Sequence, residues 1–166
     1  MDKKNRILSS YEMSQKINRL AWQIYENNYS ESKIIIAGID NRGVELSKRI
    51  SKVLNTISKI KTQNITISLD KDKPLSSLID ISVDLSNIQG NVVILIDDVL
   101  NSGRTLSYAA KELLSVDLKK LSTLVLVDRN HNSFPIKADY VGLTLSTTVH
   151  DHVNVLFGSS EGVYLS

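Results

Sequence analysis

Five consecutive aliphatic residues occupy positions 92–96, between turn-forming residues on either side. An uninterrupted apolar run of this length is typical of a central strand in a parallel sheet that helices cover on both faces. Residues 121–127 predict a second strand of this kind. Acidic residues come directly after both runs: Asp97 and Asp98 follow the first, and Asp128 follows the second. The chain is therefore predicted to fold around a parallel sheet whose strands end in carboxylates.

Segments with helical spacing of apolar residues alternate with these strands, and this alternation indicates right-handed crossovers. The sequence predicts helices at residues 10–28, 44–54 and 103–114, and further strands at residues 33–37, 65–69, 138–141, 153–157 and 163–165. We expect a single α/β domain over residues 1–166, doubly wound, with a mostly parallel sheet flanked by helices. Three polar loops, beginning at Gly38, Asp97 and Asp128, are expected to meet at the carboxyl edge of the sheet, where such folds bind ligands.

Composition narrows the function classes. Hydrophobic residues make up 42% of the chain, charged residues 23%, and the formal net charge is only +2, so no strong basic surface for nucleic acid is indicated. The chain contains no cysteine, which excludes disulfide frameworks and thiolate zinc sites. The charged start and the lack of a long apolar segment favour a cytoplasmic protein without a membrane partner.

The stretch that follows the first buried run has the chemistry of a ribose-phosphate site. Gly103 stands where a helix begins, and the free N–H groups of a helix start attract phosphate. Ser102 and Thr105 add hydroxyl donors, while Asp97 and Asp98 are acceptors suited to the vicinal hydroxyls of a ribose. The alternative is a plain strand-end turn followed by a helix cap. The residues alone leave both interpretations open.

Residues 93–105 resemble the 5-phosphoribosyl-1-pyrophosphate (PRPP) signature of type I phosphoribosyltransferases, which is a hydrophobic run, two acids, two variable residues and a Thr/Ser-Gly-rich loop. They are most similar to the bifunctional pyrimidine operon regulator and uracil phosphoribosyltransferase family. Residues 36–39, 42–43, 124–129, 131, 135–136 and 138–142 agree with that family as well. The resemblance therefore covers nearly the whole chain.

The resemblance implies the type I phosphoribosyltransferase fold with a small hood, and transfer of ribose 5-phosphate from PRPP to a nucleobase. The implied base is uracil, with hypoxanthine and guanine left open, and the implied assembly is a homo-oligomer. Asp97, Asp98 and Arg42 are the implied catalytic residues, and Asp97 and Asp98 would hold the ribose hydroxyls directly or through Mg2+. The implied binding residues are Asn101, Ser102, Gly103, Arg104 and Thr105 for the 5-phosphate, Asp40, Asn41, Arg42 and Gly43 for the pyrophosphate, and Val127, Asp128 and Arg129 for the base.

Two positions depart from the family pattern. Asp40 stands where the family commonly carries a basic residue, and Lys71 and Lys73 stand in place of the Tyr-Arg-Asp-Asp-like lid. These lysines either substitute for the lid or are solvated loop charges.

Other functions remain open at this point. A non-catalytic regulator that senses nucleotide or PRPP and binds RNA is one alternative, although only Arg19, Arg129 and His131 match the basic RNA surface of the family. A PRPP-binding subunit without turnover is another. His150 and His152 flank an acid, but with no third ligand nearby they indicate an exposed pair rather than a metal site.

Overall fold

The computed structural model describes residues 5–76 and 78–166. Its strands are β1 (Asn5–Ser9), β2 (Lys33–Ile39), β3 (Lys61–Ser68), β4 (Asp80–Ile81), β5 (Val92–Leu100), β6 (Lys120–Asp128), β7 (Tyr140–Thr144), β8 (Val153–Leu156) and β9 (Gly162–Leu165). Its α-helices are α1 (Ser10–Asn28), α2 (Asp40–Ile57) and α3 (Arg104–Leu113), and a short 3-10 helix spans Leu85–Ile88.

Six strands form the main sheet in the order β4-β3-β2-β5-β6-β7. Neighbouring strands are parallel except for β3 and β4, which run antiparallel. β5 lies near the middle of this sheet, between β2 and β6. The predicted fold class, a doubly wound and mostly parallel α/β sheet, is confirmed.

Helices cover both faces of the sheet. Successive side chains of β5 point to opposite faces, and each set packs against different helices. Ile94 and Ile96 pack in one apolar cluster with α1 and α2, whereas Val93 and Leu95 pack in a second cluster with α3. Both faces of β5 are therefore buried in apolar surroundings, which explains why its sequence is an unbroken aliphatic run rather than an alternating one. Among the helices of the described ranges, none is long and apolar enough to cross a membrane.

A second, three-stranded antiparallel sheet, in the order β1-β9-β8, joins the first strand of the chain to the last two. The step from β1 into α1 is defined by a capping box. The Ser9 hydroxyl accepts from the Glu12 N–H at 3.2 Å, and the Glu12 carboxylate accepts from the Ser9 N–H at 2.8 Å. Val153, at the start of β8, lines the main cleft, so this small sheet supplies the predicted hood.

Four predicted boundaries beside the site are wrong, each for a physical reason. β2 continues past Gly38 to Ile39, and α2 begins directly at Asp40, whose positive φ of 49° makes the turn that the predicted loop would have made. β5 does not end at the acids but continues to Leu100, because it stays paired with β6 up to Asp128. α3 begins at Arg104 because Gly103 is left-handed. The sequence also missed β1, β4 and the 3-10 helix.

Gly103 should be the glycine whose substitution costs most at a loop. Its φ is +83°, and an added Cβ would lie 2.7 Å from Ile136 Cγ2. We expect Gly103→Ala to lower the free energy of unfolding by more than the roughly 1–2 kcal/mol that a left-handed non-glycine residue costs, as measured by urea unfolding.

Gly90→Ala is the matched control, because Gly90 has a φ of +70° with nothing within 4 Å of an added Cβ. It should therefore show only the backbone cost. Equal losses for the two variants would contradict the packing contribution assigned to Ile136.

Candidate active site

A cleft of about 140 Å3 opens at the carboxyl end of β5. Its lining consists of Arg42 from α2, Lys71 from the loop after β3, residues 97–106, and Val153 from β8. The carboxyl ends of parallel strands meet at the same edge of a sheet, so the polar residues that follow β2, β3 and β5 converge here. The fold thus places residues from four separate parts of the chain around one small polar cavity.

Two neighbouring carboxylates form the floor of this cleft. Asp97 and Asp98 are only 3% and 4% exposed, and the Asp98 N–H donates to Asp97 Oδ1 at 2.9 Å. Burial raises the pKa of Asp97 well above its ordinary value, and the adjacent charge of Asp98 raises it further. Two acids held this close in a dry position disfavour being ionised together, so the site attracts cations and hydroxyl donors.

The first turn of α2 lies against these acids because Gly43 allows close contact. An added Cβ at Gly43 would lie 2.7 Å from the Ile96 carbonyl oxygen and 3.4 Å from Asp97 Cα. A larger residue would push the helix away from β5. Gly43 therefore contributes by packing, and it brings Asp40 and Arg42 to the edge of the cleft.

Two cations face the three carboxylates at this edge. Arg42 lies 3.7 Å from Asp98 Oδ2, and Lys71 Nζ lies 3.5 Å from Asp97 Oδ1 and 3.6 Å from Asp40 Oδ2. Partial burial opposes the charge on Lys71, but the carboxylates of Asp97, Asp98 and Asp40 outweigh it and raise the pKa of Lys71. At these distances the pairs are ionic contacts rather than short hydrogen bonds, so a stronger anion can compete for either cation.

The wall of the cleft is the loop of residues 101–103 and the start of α3. The carbonyl oxygen of Ser102 accepts from the Ser133 and Phe134 N–H groups at 2.8 and 3.0 Å. Ile136 packs directly beside Gly103. This brace holds the loop against the start of α3, whose first N–H groups have no carbonyl partner inside the helix. One of them, the Arg104 N–H, donates to Ser102 Oγ at 3.3 Å.

The residues present suit a hard divalent cation such as Mg2+ rather than zinc. Within residues 5–76 and 78–166, no group of three or more His, Cys, Asp or Glu side chains is placed to hold a metal. Asp97 and Asp98 together offer two hard oxygen donors. Magnesium is commonly held by one or two carboxylates together with substrate oxygens and water, whereas zinc requires more protein ligands. The pair therefore fits Mg2+ bound jointly with a phosphorylated substrate.

The structure brings most of the predicted site residues together. Eight of the eleven positions predicted for catalysis, the 5-phosphate and the pyrophosphate line the cleft, namely Arg42, Asp97, Asp98, Asn101, Ser102, Gly103, Arg104 and Thr105. Asp40 reaches the cleft through its ion pair with Lys71. Asn41 instead lines a separate surface pocket beside Ser68.

The predicted base-binding residues do not line this cleft. Val127 is fully buried, and Asp128 lines another pocket with Phe134 and Pro135. Arg129 is 7% exposed, and its guanidinium contacts other parts of the chain. The predicted base site at this strand end stays a prediction, and it could involve only the backbone of residues 127–129 in contact with the base.

Sequence reasoning missed Val153 and the brace of residues 133–136. Their only sequence signal was the hydrophobic strand that contains Val153 and the Phe-Pro-Ile stretch at residues 134–136. Neither signal indicates what the residues contact.

Several homologous proteins match almost the entire chain. "Bifunctional protein PyrR" of Streptococcus thermophilus is 35% identical over 162 residues, which is 96% of this chain and 94% of that protein. The protein of the same name from Haemophilus ducreyi is 36% identical over 165 residues, covering 95% of this chain and 92% of that protein.

Solved structures share the fold. The hypoxanthine phosphoribosyltransferase of Trypanosoma cruzi superposes with a TM-score of 0.77 at 16% identity, covering 97% of this chain and 95% of that one. A hypoxanthine-guanine phosphoribosyltransferase from Bacillus anthracis gives a TM-score of 0.75 at 24% identity, covering 87% and 84%. The sequence also matches the family described as "Phosphoribosyl transferase domain" across residues 4–160. With that match and with relatives above 30% identity over nearly its full length, this chain belongs to the phosphoribosyl transferase family.

Proposed function

We propose that this protein transfers ribose 5-phosphate from PRPP to a nucleobase, with release of pyrophosphate and with Mg2+ as cofactor. The observation that carries the proposal is the single cleft that joins two buried acids, a braced helix start and two exchangeable cations. These are the three kinds of group that a ribose, its 5-phosphate and its pyrophosphate require. Four further pockets among the described residues do not combine them.

Each part of PRPP has a matching group in the cleft. We assign the 5-phosphate to the start of α3. The backbone N–H groups there and the hydroxyls of Ser102 and Thr105 would donate to its oxygens. The ribose hydroxyls donate to Asp97 and Asp98. The reacting carbon is then held between the phosphate loop and the first turn of α2, where Arg42 faces the pyrophosphate.

The reaction breaks the bond between the anomeric carbon and the pyrophosphate oxygen and forms a bond from that carbon to a base nitrogen. The proton of that nitrogen is released to solvent or to the departing pyrophosphate. Positive charge develops on the ribose and negative charge on the pyrophosphate, so positioning and electrostatics matter more than a strong nucleophile. The acids beneath the ribose stabilise the positive charge, and Arg42 stabilises the negative charge. Asp97 and Asp98 would hold Mg2+, and the bound ion would neutralise part of the charge on the departing pyrophosphate.

Lys71 offsets the unfavourable charge of Asp40. A carboxylate beside a diphosphate repels it, but Lys71 lies 3.6 Å from Asp40 Oδ2 and carries a raised pKa, so it remains charged at neutral pH. We therefore assign Lys71 to the pyrophosphate side of the cleft, in the role that a basic residue at position 40 would otherwise have.

We propose uracil as the base, following the resemblance of residues 93–105 and 124–142 to the pyrimidine regulator and uracil phosphoribosyltransferase family. The base would lie against the backbone at the end of β6, beyond Val127. The two purine phosphoribosyltransferases described above are 24% and 16% identical, so their fold does not decide between uracil and a purine.

An RNA-binding regulator is the second candidate function. A groove between α1 and α2, lined by Trp22, Lys48, Arg49 and Lys52 among others, is the feature that favours it. The charge of Arg49 is already paired with Glu45 and Glu161, at 3.1 and 2.7 Å, so only the two lysines are available to phosphates. Because binding to an RNA backbone requires clustered free cations, the enzyme is the better supported function.

Asp97→Asn should abolish PRPP binding while making the folded protein more stable at neutral pH. Because the pKa of Asp97 is raised, the folded protein holds a proton at this carboxyl more tightly than the unfolded chain does, and ionisation costs stability. The gain in Tm should shrink as pH falls toward about 4, where the unfolded carboxyl is also protonated.

Asp80→Asn, in the exposed strand β4, is the control and should change neither quantity. Calorimetric titration with PRPP and Mg2+ and thermal melts at several pH values measure both effects. Retention of PRPP binding by Asp97→Asn would show that the ribose is held elsewhere.

Lys71→Ala should weaken PRPP about tenfold, the order expected for one lost charged hydrogen bond, and should leave the affinity for uridine 5′-monophosphate unchanged. Only PRPP carries the pyrophosphate, so only PRPP should respond. Lys73→Ala is the matched control, because Lys73 lies on the same exposed loop and its side chain faces solvent. Equal losses for both ligands, or for both lysine variants, would remove Lys71 from the pyrophosphate site.

Pyrophosphate release from PRPP and Mg2+ should occur with uracil and not with hypoxanthine, guanine, adenine or orotate supplied separately. Pyrophosphate release with a purine base would support the enzymatic function but with a different substrate. No release with any of the five bases, despite calorimetric binding of PRPP, would favour the regulator.

A further inference from the structure

Arg129 is a buried cation that no step proposed above uses. It is only 7% exposed, yet it makes four hydrogen bonds. Its guanidinium donates to Thr147 Oγ1 at 3.0 Å, to the Thr148 and Asp151 carbonyl oxygens at 3.2 and 2.6 Å, and to Asn101 Oδ1 at 2.8 Å. Three of these acceptors belong to the loop of residues 145–152, and the fourth belongs to the wall of the cleft.

The contact with Asn101 determines which way its side-chain amide faces. A guanidinium can only donate hydrogen bonds, so the Asn101 atom 2.8 Å away must be the acceptor oxygen and not the amide nitrogen. The Nδ2 group then lies on the opposite side of the amide. Asn101 lines the cleft and its side chain is exposed there. Arg129 thereby leaves the two Nδ2 protons available as donors to an anion in the cleft.

The loop of residues 145–152 holds Arg129 in this position. The Asp151 carboxylate accepts from the Thr148 N–H and hydroxyl at 2.7 and 2.8 Å, and His131 Nε2 lies 2.8 Å from the Thr147 carbonyl oxygen. The acceptors around the guanidinium are therefore fixed before any ligand arrives. A planar guanidinium with three fixed acceptors on one side has little freedom to turn away from Asn101.

We infer that Arg129 is a positioning residue for phosphate binding: it orients the Asn101 amide so that its N–H donors, and not its oxygen, face the anion. Without Arg129 the amide can rotate and present a lone pair to the phosphate, which would repel it. The identification of that anion as the 5-phosphate of PRPP rests on the proposed function, whereas the orientation of the amide does not.

A purely structural role is the competing explanation, in which Arg129 only ties down residues 145–152. The two roles make different predictions for three variants. Arg129→Met removes every donor. Arg129→Lys keeps a group that can only donate, so it should still orient Asn101, although it cannot serve all three loop acceptors. Thr147→Val removes one loop acceptor and leaves the contact with Asn101 in place.

The test follows the side-chain amide of Asn101 by nitrogen-15 NMR while inorganic phosphate is added, with Asn101→Ala used to assign its signals. We expect the signals to shift on titration in the wild type, in Arg129→Lys and in Thr147→Val, and to lose this shift in Arg129→Met. Should Arg129→Met fail to fold, the comparison of Arg129→Lys with the wild type decides alone. No shift in the wild type, loss in Arg129→Lys, or an unchanged shift in folded Arg129→Met would overturn the inference.

Calorimetric binding of PRPP with Mg2+ separates this inference from the proposed function. Arg129→Met and Asn101→Ala should each weaken PRPP about tenfold, and the double variant should be no weaker than the single ones, because both changes remove the same donor. If the affinity losses of the two single variants multiply in the double variant, Arg129 does not act through Asn101. If the wild type responds to inorganic phosphate in the NMR titration but does not bind PRPP, the positioning role stands and the proposed function fails.

Discussion

Two adjacent carboxylates inside the central strand are the constraint on which the rest of the site depends. Asp97 and Asp98 are almost fully buried, and charges in such a position are tolerated only when cations or donors lie close by. Arg42 and Lys71 are the cations that meet this requirement in the protein. The acids thus determine where the first turn of α2 and the loop after β3 must lie.

The site combines rigid and exchangeable parts. The acids are held by the pairing of β5 with β6, which continues past them to Leu100, and the phosphate loop is held by the segment that includes Ser133 and Phe134. The ion pairs of Arg42 and Lys71, by contrast, have N···O distances of 3.5 to 3.7 Å and are partly solvated. In the reaction proposed above, the groups assigned to the ribose and its phosphate are fixed, whereas the groups assigned to the leaving pyrophosphate can change partners.

Buried polar contacts also link parts of the site that are far apart in the chain. Arg129 connects the phosphate loop at Asn101 with the loop that precedes β8. β8 in turn contributes Val153 to the cleft. A buried guanidinium is suited to such a connection because its planar donors contact several acceptors at once. Arg129 is therefore one of the links between the small sheet and the cleft at the edge of the main sheet.

The sequence by itself determined the features that are encoded locally. A continuous aliphatic run indicates a strand buried on both faces, Ser9 and Glu12 specify the start of α1, and the acids and glycine of the phosphate loop are neighbours in the chain. The mostly parallel α/β architecture could be predicted from these patterns, whereas the antiparallel edge strand β4 was missed. The start of α2 at Asp40 could not, because the length of β2 depends on its pairing with β3. Only the tertiary structure brought Lys71 to Asp97, Arg129 to Asn101 and Ile136 to Gly103. Contacts of this kind join residues that are distant in sequence, and their distances depend on how the helices and loops pack over the sheet.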